Sequence, residues 1–267
     1  MTTYLVLDIE HHIDRDAHKR YLQAERMSPD DIALLPARDP AVTPRWPFFR
    51  IGCMSWIRLE SDPETGALSP ATLTTVSAPE MTERQMLQSL FEAVRDLGRD
   101  ASIVTWGGTA RDIPSIVTGA CRAGLVLPEA LSPPVGPFAL RERRDRHLDL
   151  MLAWSSSARV HMSEVAAALS VPSKVVGGPG AIQGWIDLGK WSLVRSACES
   201  DALTAAMLLG RLLASRGCGH GLATSMALAR LGASMTHRPY APVYEAYRQQ
   251  LGDMIAGDLA ERMREAA

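Results

Sequence analysis

The chain has 267 residues, with 28 lysines and arginines against 30 aspartates and glutamates, a formal net charge of −2 and 46% hydrophobic residues. This supplies a real core and excludes wholesale disorder, and the near-neutral charge excludes a protein that holds nucleic acid by bulk charge alone, though not a nuclease with an acidic centre and local basic contacts. No apolar run reaches the ~18 residues of a membrane span, so no membrane partner is expected, and the scattered Cys53, Cys121, Cys198 and Cys218 form no CxxC, which argues against a thiolate zinc site and for a reducing, cytoplasmic setting.

The N-terminal MTTYLVLDIE meets acids too early for a secretory signal. Residues 3–9 read instead as a central strand. Residues 11–46, rich in charge and containing His11, His12 and His18, read as an insertion with one short helix near 15–25. FFRIGCMSWIRLE at 48–60 reads as a second strand and ATLTTVS at 71–77 as a third, joined as a meander by a turn with Pro63 and Gly66. From Thr82, a plausible N-cap, the period becomes helical: Met86, Leu87, Leu90, Phe91, Val94 and Leu97 recur until Gly98. SIVTW at 102–106 is a short buried strand, and Gly107-Gly108 turns the chain into a helix from Asp112 to about Gly124. A proline-rich loop at 128–146 runs into Arg141, Arg143, Arg144 and Arg146, a basic cluster suited to phosphate contacts. HLDLMLAW at 147–154 changes from strand to helix, and SEVAAALS at 163–170 reads as a helix capped by Ser163. Helices are expected at 181–198 and 199–216, with two or three more over 220–267. A meander followed by alternating elements predicts an α/β fold, a mixed sheet flanked by helices.

Three positions carry possible chemistry. Asp8 and Glu10 sit at i and i+2 of a strand, so they share a face with Cβ atoms roughly 6–7 Å apart. Carboxylates that close repel unless a cation lies between them, and hard oxygen ligands suit Mg²⁺ or Mn²⁺. Asp112 stands at a strand-to-helix turn in VTWGGTARDIP, and Asp201 opens an apolar helix over 202–213. Each of the latter two, alone, is explained as a helix cap.

Together the three resemble the DEDD superfamily of 3′–5′ exonucleases, with its ribonuclease H-like fold. In detail the chain is similar to the predicted 3′–5′ exonucleases related to the proofreading domain of family-B DNA polymerases. WPFFRIGCMSW is similar to that family's second strand, VTWGGTARDIP to its second exonuclease motif, and HLDLMLAW, SEVAAALSVPSK and ACESDALTAAMLLGRLL to the segments leading into its third. The similarity runs over about residues 3–217, which makes 1–217 the exonuclease-like domain and 218–267 a C-terminal helical extension. It implies a five-stranded mixed sheet, and a two-metal site in which Asp8, Glu10, Asp112 and Asp201 bind two Mg²⁺ or Mn²⁺ ions. The implied partner is single-stranded nucleic acid with a free 3′ end, DNA in the first instance. The resemblance puts Ile9, Gly107, Arg111 and Lys174 on the substrate side.

The chain departs from the family at three places. Gly107 stands where the second motif has Asn, Arg111 where it has Phe, and Ala197 where the third motif has a Tyr four residues before its Asp. Ser196 rules out the histidine version of that motif. Arg111 is suited to a phosphate or to the clustered acids. The family's Tyr can orient the attacking water from the helical face of the Asp, and Ala197 cannot. His11 and His12 are the nearest possible substitutes in sequence, although loop histidines beside a strand end are more often solvated. Asp149 in the shared His-Leu-Asp reads as a structural cap, and Trp56, Trp106, Trp154, Trp185 and Trp191 as packing. The competing reading is a catalytically weakened or inactive descendant that binds nucleic acid or a protein.

Overall fold

In the computed structural model, residues 2–98, 101–131, 146–156, 159–178 and 180–265 are described. Arg141, Arg143 and Arg144 of the expected basic cluster lie outside them. Five strands form one sheet: β1 (Thr3–Ile13), β2 (Phe49–Ser61), β3 (Leu68–Ser77), β4 (Ser102–Thr105) and β5 (His147–Asp149), in the order β3-β2-β1-β4-β5. The meander β1–β2–β3 is antiparallel, while β4 and β5 run parallel to β1. This is the mixed sheet expected of a ribonuclease H-like fold.

Alternation along β1 divides the core. Leu5, Leu7 and Ile9 join the buried cluster of Met86, Leu87, Leu90 and Phe91 on α3 (Glu83–Arg95) and Ile116 on α4 (Asp112–Ala123). Val6 points the other way, into a cluster with Leu203, Met207 and Leu208. Asp8 and Glu10 keep the parity of Val6, so the acids face that second layer. Thr82 caps α3 as expected, its hydroxyl accepting from Gln85 N at 3.3 Å. Gly124 ends α4 in left-handed backbone at φ 61°.

Some boundaries differ from the sequence reading. β1 continues to Ile13, so His11 and His12 are strand residues and the insertion begins at 14. That insertion holds α1 (Arg15–Ala24), capped by Asp14, and the short α2 (Pro29–Ala33). After α5 (Leu150–Ser155) comes α6, which runs Met162–Ala168 with His161, not Ser163, at its N-cap; the Glu164 carboxylate accepts from His161 N at 2.7 Å. The break expected at 198–199 lies earlier. Helix α7 is Ala181–Asp187, Gly189 turns the chain at φ 66°, and α8 runs unbroken over 25 residues, Trp191–Ser215. Asp201 is therefore mid-helix and caps nothing.

The last two helices, α9 (Gly221–Ser234) and α10 (Ala241–Glu265), share a core with α8: Tyr240, Tyr244, Tyr247 and Leu251 are buried in one cluster with Leu208 and Leu209. Gly232 allows the approach, since a Cβ there would sit 2.6 Å from Tyr244 Cγ. Glu199, 1% exposed, accepts from Arg238 Nη2 at 2.6 Å and from the Tyr240 hydroxyl at 2.8 Å. Among the described residues no helix is long and apolar enough to cross a membrane.

Candidate active site

The centre of the site joins the middle strand to the longest buried helix. Asp8 and Glu10 from β1 and Asp201 from α8 each offer a carboxylate oxygen, all within 4.8 Å of one another. Cys198, one turn before Asp201, donates its thiol to the Asp8 carbonyl oxygen at 3.3 Å and ties helix to strand. Asp8 Oδ2 and Asp201 Oδ1 are buried without a hydrogen-bond partner. Orphaned buried oxygens are costly unless a ligand completes them.

Asp112, in the first turn of α4, is 7% exposed. It stands outside the 4.8 Å group, yet its charge raises the proton affinity of both Asp8 and Glu10. Three of the four expected acids thus converge, with the fourth bordering them. Burial raises every one. The Asp8 carboxyl is pushed well above the carboxylate range by burial, then by the charges of Asp201, Glu10 and Asp112. Burial and the charge of Asp201 push Glu10 to about 8, and burial pushes Asp112 to about 7 against the pull of Arg111.

Lys174 answers part of this charge. Its ammonium donates to Asp201 Oδ2. Burial alone would lower the lysine pKa, but the charges of Asp201 and Asp8 more than offset it. The loop that carries Lys174 is fixed to α8 where Thr204 donates to the Pro172 carbonyl at 2.8 Å. Lys174 takes left-handed backbone, φ 51°, which costs a non-glycine residue about 1–2 kcal/mol. Burial raises Asp201 and Lys174 lowers it. All the ligand atoms of the cluster are hard oxygens, two of them orphaned, and the set fits Mg²⁺ or Mn²⁺.

The rim is built on the turn after β4. Gly107 adopts φ 69°, a conformation that glycine takes without a Cβ penalty and that Asn takes less readily. Asp149 brackets this turn: its Oδ1 accepts from Gly107 N at 2.8 Å and Met151 N at 3.1 Å, its Oδ2 from Thr109 N at 3.0 Å. It is the structural cap the sequence reading expected. Arg111 is exposed, and its guanidinium lies over the Phe49 ring, 5.5 Å from the centroid. The Ile9 side chain belongs to the opposite core, so only its main chain borders the acids.

Ala197 is buried at 3% exposure and brings no hydroxyl. His11 does not behave as a solvated loop residue. Its Nε2 is buried without a hydrogen-bond partner, and burial, then Arg111, pushes its pKa down to about 3. Burial lowers His12 as well. Arg146 is spent on structure, donating from Nε to the Ala101 carbonyl at 3.1 Å and from Nη2 to that of Gly98. Trp56 is core, and Trp185 and Trp191 pack against the buried Cys53 and Cys198. Sequence reasoning missed the nearness of Phe49 and Cys198 to the site. Phe49 lies within the WPFFRIGC segment, but nothing local pairs it with Arg111.

The model of a family described as a predicted 3′-5′ exonuclease related to the exonuclease domain of PolB matches residues 45–250. The match contains Asp112, Lys174 and Asp201 and extends over α9 and the first ten residues of α10; Asp8 and Glu10 precede it. No curated protein matches the chain.

Proposed function

The chain belongs to this family of predicted 3′–5′ exonucleases, and from that membership we propose that it removes nucleotides from the 3′ end of single-stranded nucleic acid, with DNA as the first substrate to test. The observation that carries the reading is the meeting of Asp8, Glu10 and Asp201 within 4.8 Å, with an unpartnered buried oxygen on each of Asp8 and Asp201. Two Mg²⁺ or Mn²⁺ ions, when bound, would polarise the scissile phosphate and lower the pKa of an attacking water. Asp8, Glu10 and Asp201 hold the charge of that centre, and Asp112 completes it from α4. Lys174, whose ammonium donates to Asp201, would be released to bind a phosphate oxygen of the strand when cations occupy the acids. The main chain at Ile9 and Gly107 lines the strand end, and Arg111 meets the backbone at the rim. The free cysteines are in keeping with a cytoplasmic setting.

Turnover is expected to be slow. A positioned general base contributes ~10²–10⁴-fold, and Ala197 offers none. This residue, with Lys174 already on Asp201, favours the second reading, a protein that binds nucleic acid or a protein partner in the same cleft without cutting. The experiment is a gel assay on 5′-labelled single-stranded DNA with and without Mn²⁺, comparing the wild type with Asp8→Ala and Asp201→Ala. A ladder shortening from the 3′ end and abolished by either substitution is the expected result. A folded protein that yields no ladder from DNA or RNA ends the exonuclease reading in favour of the second.

A further inference from the structure

The two cations beside the acids behave differently. Lys174 has fallen onto Asp201. Arg111 adjoins Asp112, and its charge acts on Glu10, His11 and Asp112, yet among the described residues it makes no ion pair and no hydrogen bond through its side chain; its contact is the face of Phe49. The ring is itself held. The Phe49 carbonyl accepts from Arg122 Nη2 at 3.2 Å, Arg50 next to it bonds Asp14 at 2.7 Å and Glu83 at 3.1 Å, and the His11 ring lies 5.7 Å from its centroid. An arginine that lies over a ring and makes no hydrogen bond keeps its N–H groups free, and their fork matches the paired oxygens of a phosphate.

We propose that Phe49 is a positioning residue that keeps Arg111 off the acids and presents its guanidinium edge, at the mouth of the site, to an internal phosphodiester of the single strand. This rests on the nucleic-acid reading above. It assigns the two cations separate tasks: Lys174 serves the centre, while Arg111 grips the strand upstream of the bond that is cut, without regard to base. Phe49 thus determines both grip and metal access, because an Arg111 released from the ring would swing to Glu10 and Asp112 and compete with cations there.

The test uses the full chain and a short fluorescein-labelled oligothymidylate in EDTA, with binding followed by anisotropy over a range of KCl. Each phosphate neutralised on a single strand contributes about 0.7 to the slope of log K against log salt. Arg111→Ala is expected to lower the slope by about that amount, Phe49→Leu to lower it similarly, and Phe49→Tyr to keep it. Calorimetry with Mn²⁺ alone gives an independent reading. Phe49→Leu is expected to weaken Mn²⁺ binding about two- to fivefold, in scale with an exposed cation–π contact, and the Phe49→Leu/Arg111→Ala double variant to restore it. A Phe49 that only supports the fold would leave the slope unchanged and would give no rescue in the double variant. Should Phe49→Leu not fold, Phe49→Met, of similar volume and without a ring, replaces it. A wild-type slope for Arg111→Ala, or for a folded ringless variant, overturns the proposal while leaving the gel assay untouched. A wild type that binds no strand at low salt overturns it together with the nucleic-acid reading.

Discussion

Two buried carboxylates lie two residues apart on α8 and lead opposite lives. Glu199 faces the C-terminal helices with both oxygens occupied, one by Arg238 and one by Tyr240. Asp201 faces β1 with one oxygen on Lys174 and the other on nothing. Both are buried to a similar depth, at 1% and 4% exposure. Depth therefore does not separate the two; satisfaction does. A carboxylate whose partners are complete is carried at little net cost, whereas one left incomplete among other acids destabilises the fold until a ligand arrives.

The sharpest way to break this contrast is to remove each acid in turn. Asp201→Ala is expected to cut exonuclease activity about 10³-fold or more while leaving the melting temperature of the metal-free protein unchanged or higher. Glu199→Ala is expected to do the reverse. It strands the Arg238 guanidinium, at a cost of about 3–5 kcal/mol in denaturant unfolding, and leaves activity per folded molecule near wild type. If both variants lose activity and stability in parallel, the distinction collapses.

Next in size is the pH dependence of stability without metal. Glu10 and Asp112 have folded pKa values of about 8 and about 7, above those of free carboxylates. Between the two ranges the folded state binds more protons than the unfolded one, so stability falls as pH rises from about 4.5 to 8. Thermal melts in EDTA are expected to show this decline and melts with Mn²⁺ to oppose it; Asp112→Asn should flatten the EDTA curve. A melting temperature that rises across that window would contradict the raised values.

A smaller effect is expected at Lys174. Lys174→Met removes the ammonium that competes for Asp201, so Mn²⁺ affinity by calorimetry should tighten about tenfold, the weight of about 1.4 kcal/mol of competing charge interaction. Binding of single-stranded DNA should weaken in the same variant. Looser Mn²⁺ binding would mean that the lysine supports the ion site instead of contesting it. The smallest effect belongs to the rim: Asp149→Asn loses acceptor strength at Gly107, Thr109 and Met151 and should cost about 1 kcal/mol, read by urea unfolding.

Local features of the chain were legible and distant ones were not. The alternation of Leu5, Leu7 and Ile9 against Val6, Asp8 and Glu10 and the cap at Thr82 are written within a few neighbouring residues. The acids of β1 and α8 were found through the order of motifs. The polar run Cys198-Glu199-Ser200-Asp201 looked like a helix boundary because its partners are remote: Asp8 for Cys198, Arg238 and Tyr240 for Glu199, Lys174 for Asp201. Polarity that reads as an edge in sequence is, in the fold, a helix contacted by polar groups from several sides. The charged surroundings of His11 and His12 likewise suggested a loop, whereas β1 carries both, and the contact of Phe49 with Arg111 joins positions that no periodicity connects.

The buried anchor of Glu199 also bears on how the molecule is made. Its partners, and the tyrosines that cover Leu208 and Leu209, come from the stretch 238–251. During synthesis these residues leave the ribosome after α8 does. Until they do, α8 carries an uncompensated acid and an uncovered apolar flank. A fragment ending near residue 217 would thereby keep Glu199 on α8 without Arg238 or Tyr240 to answer it.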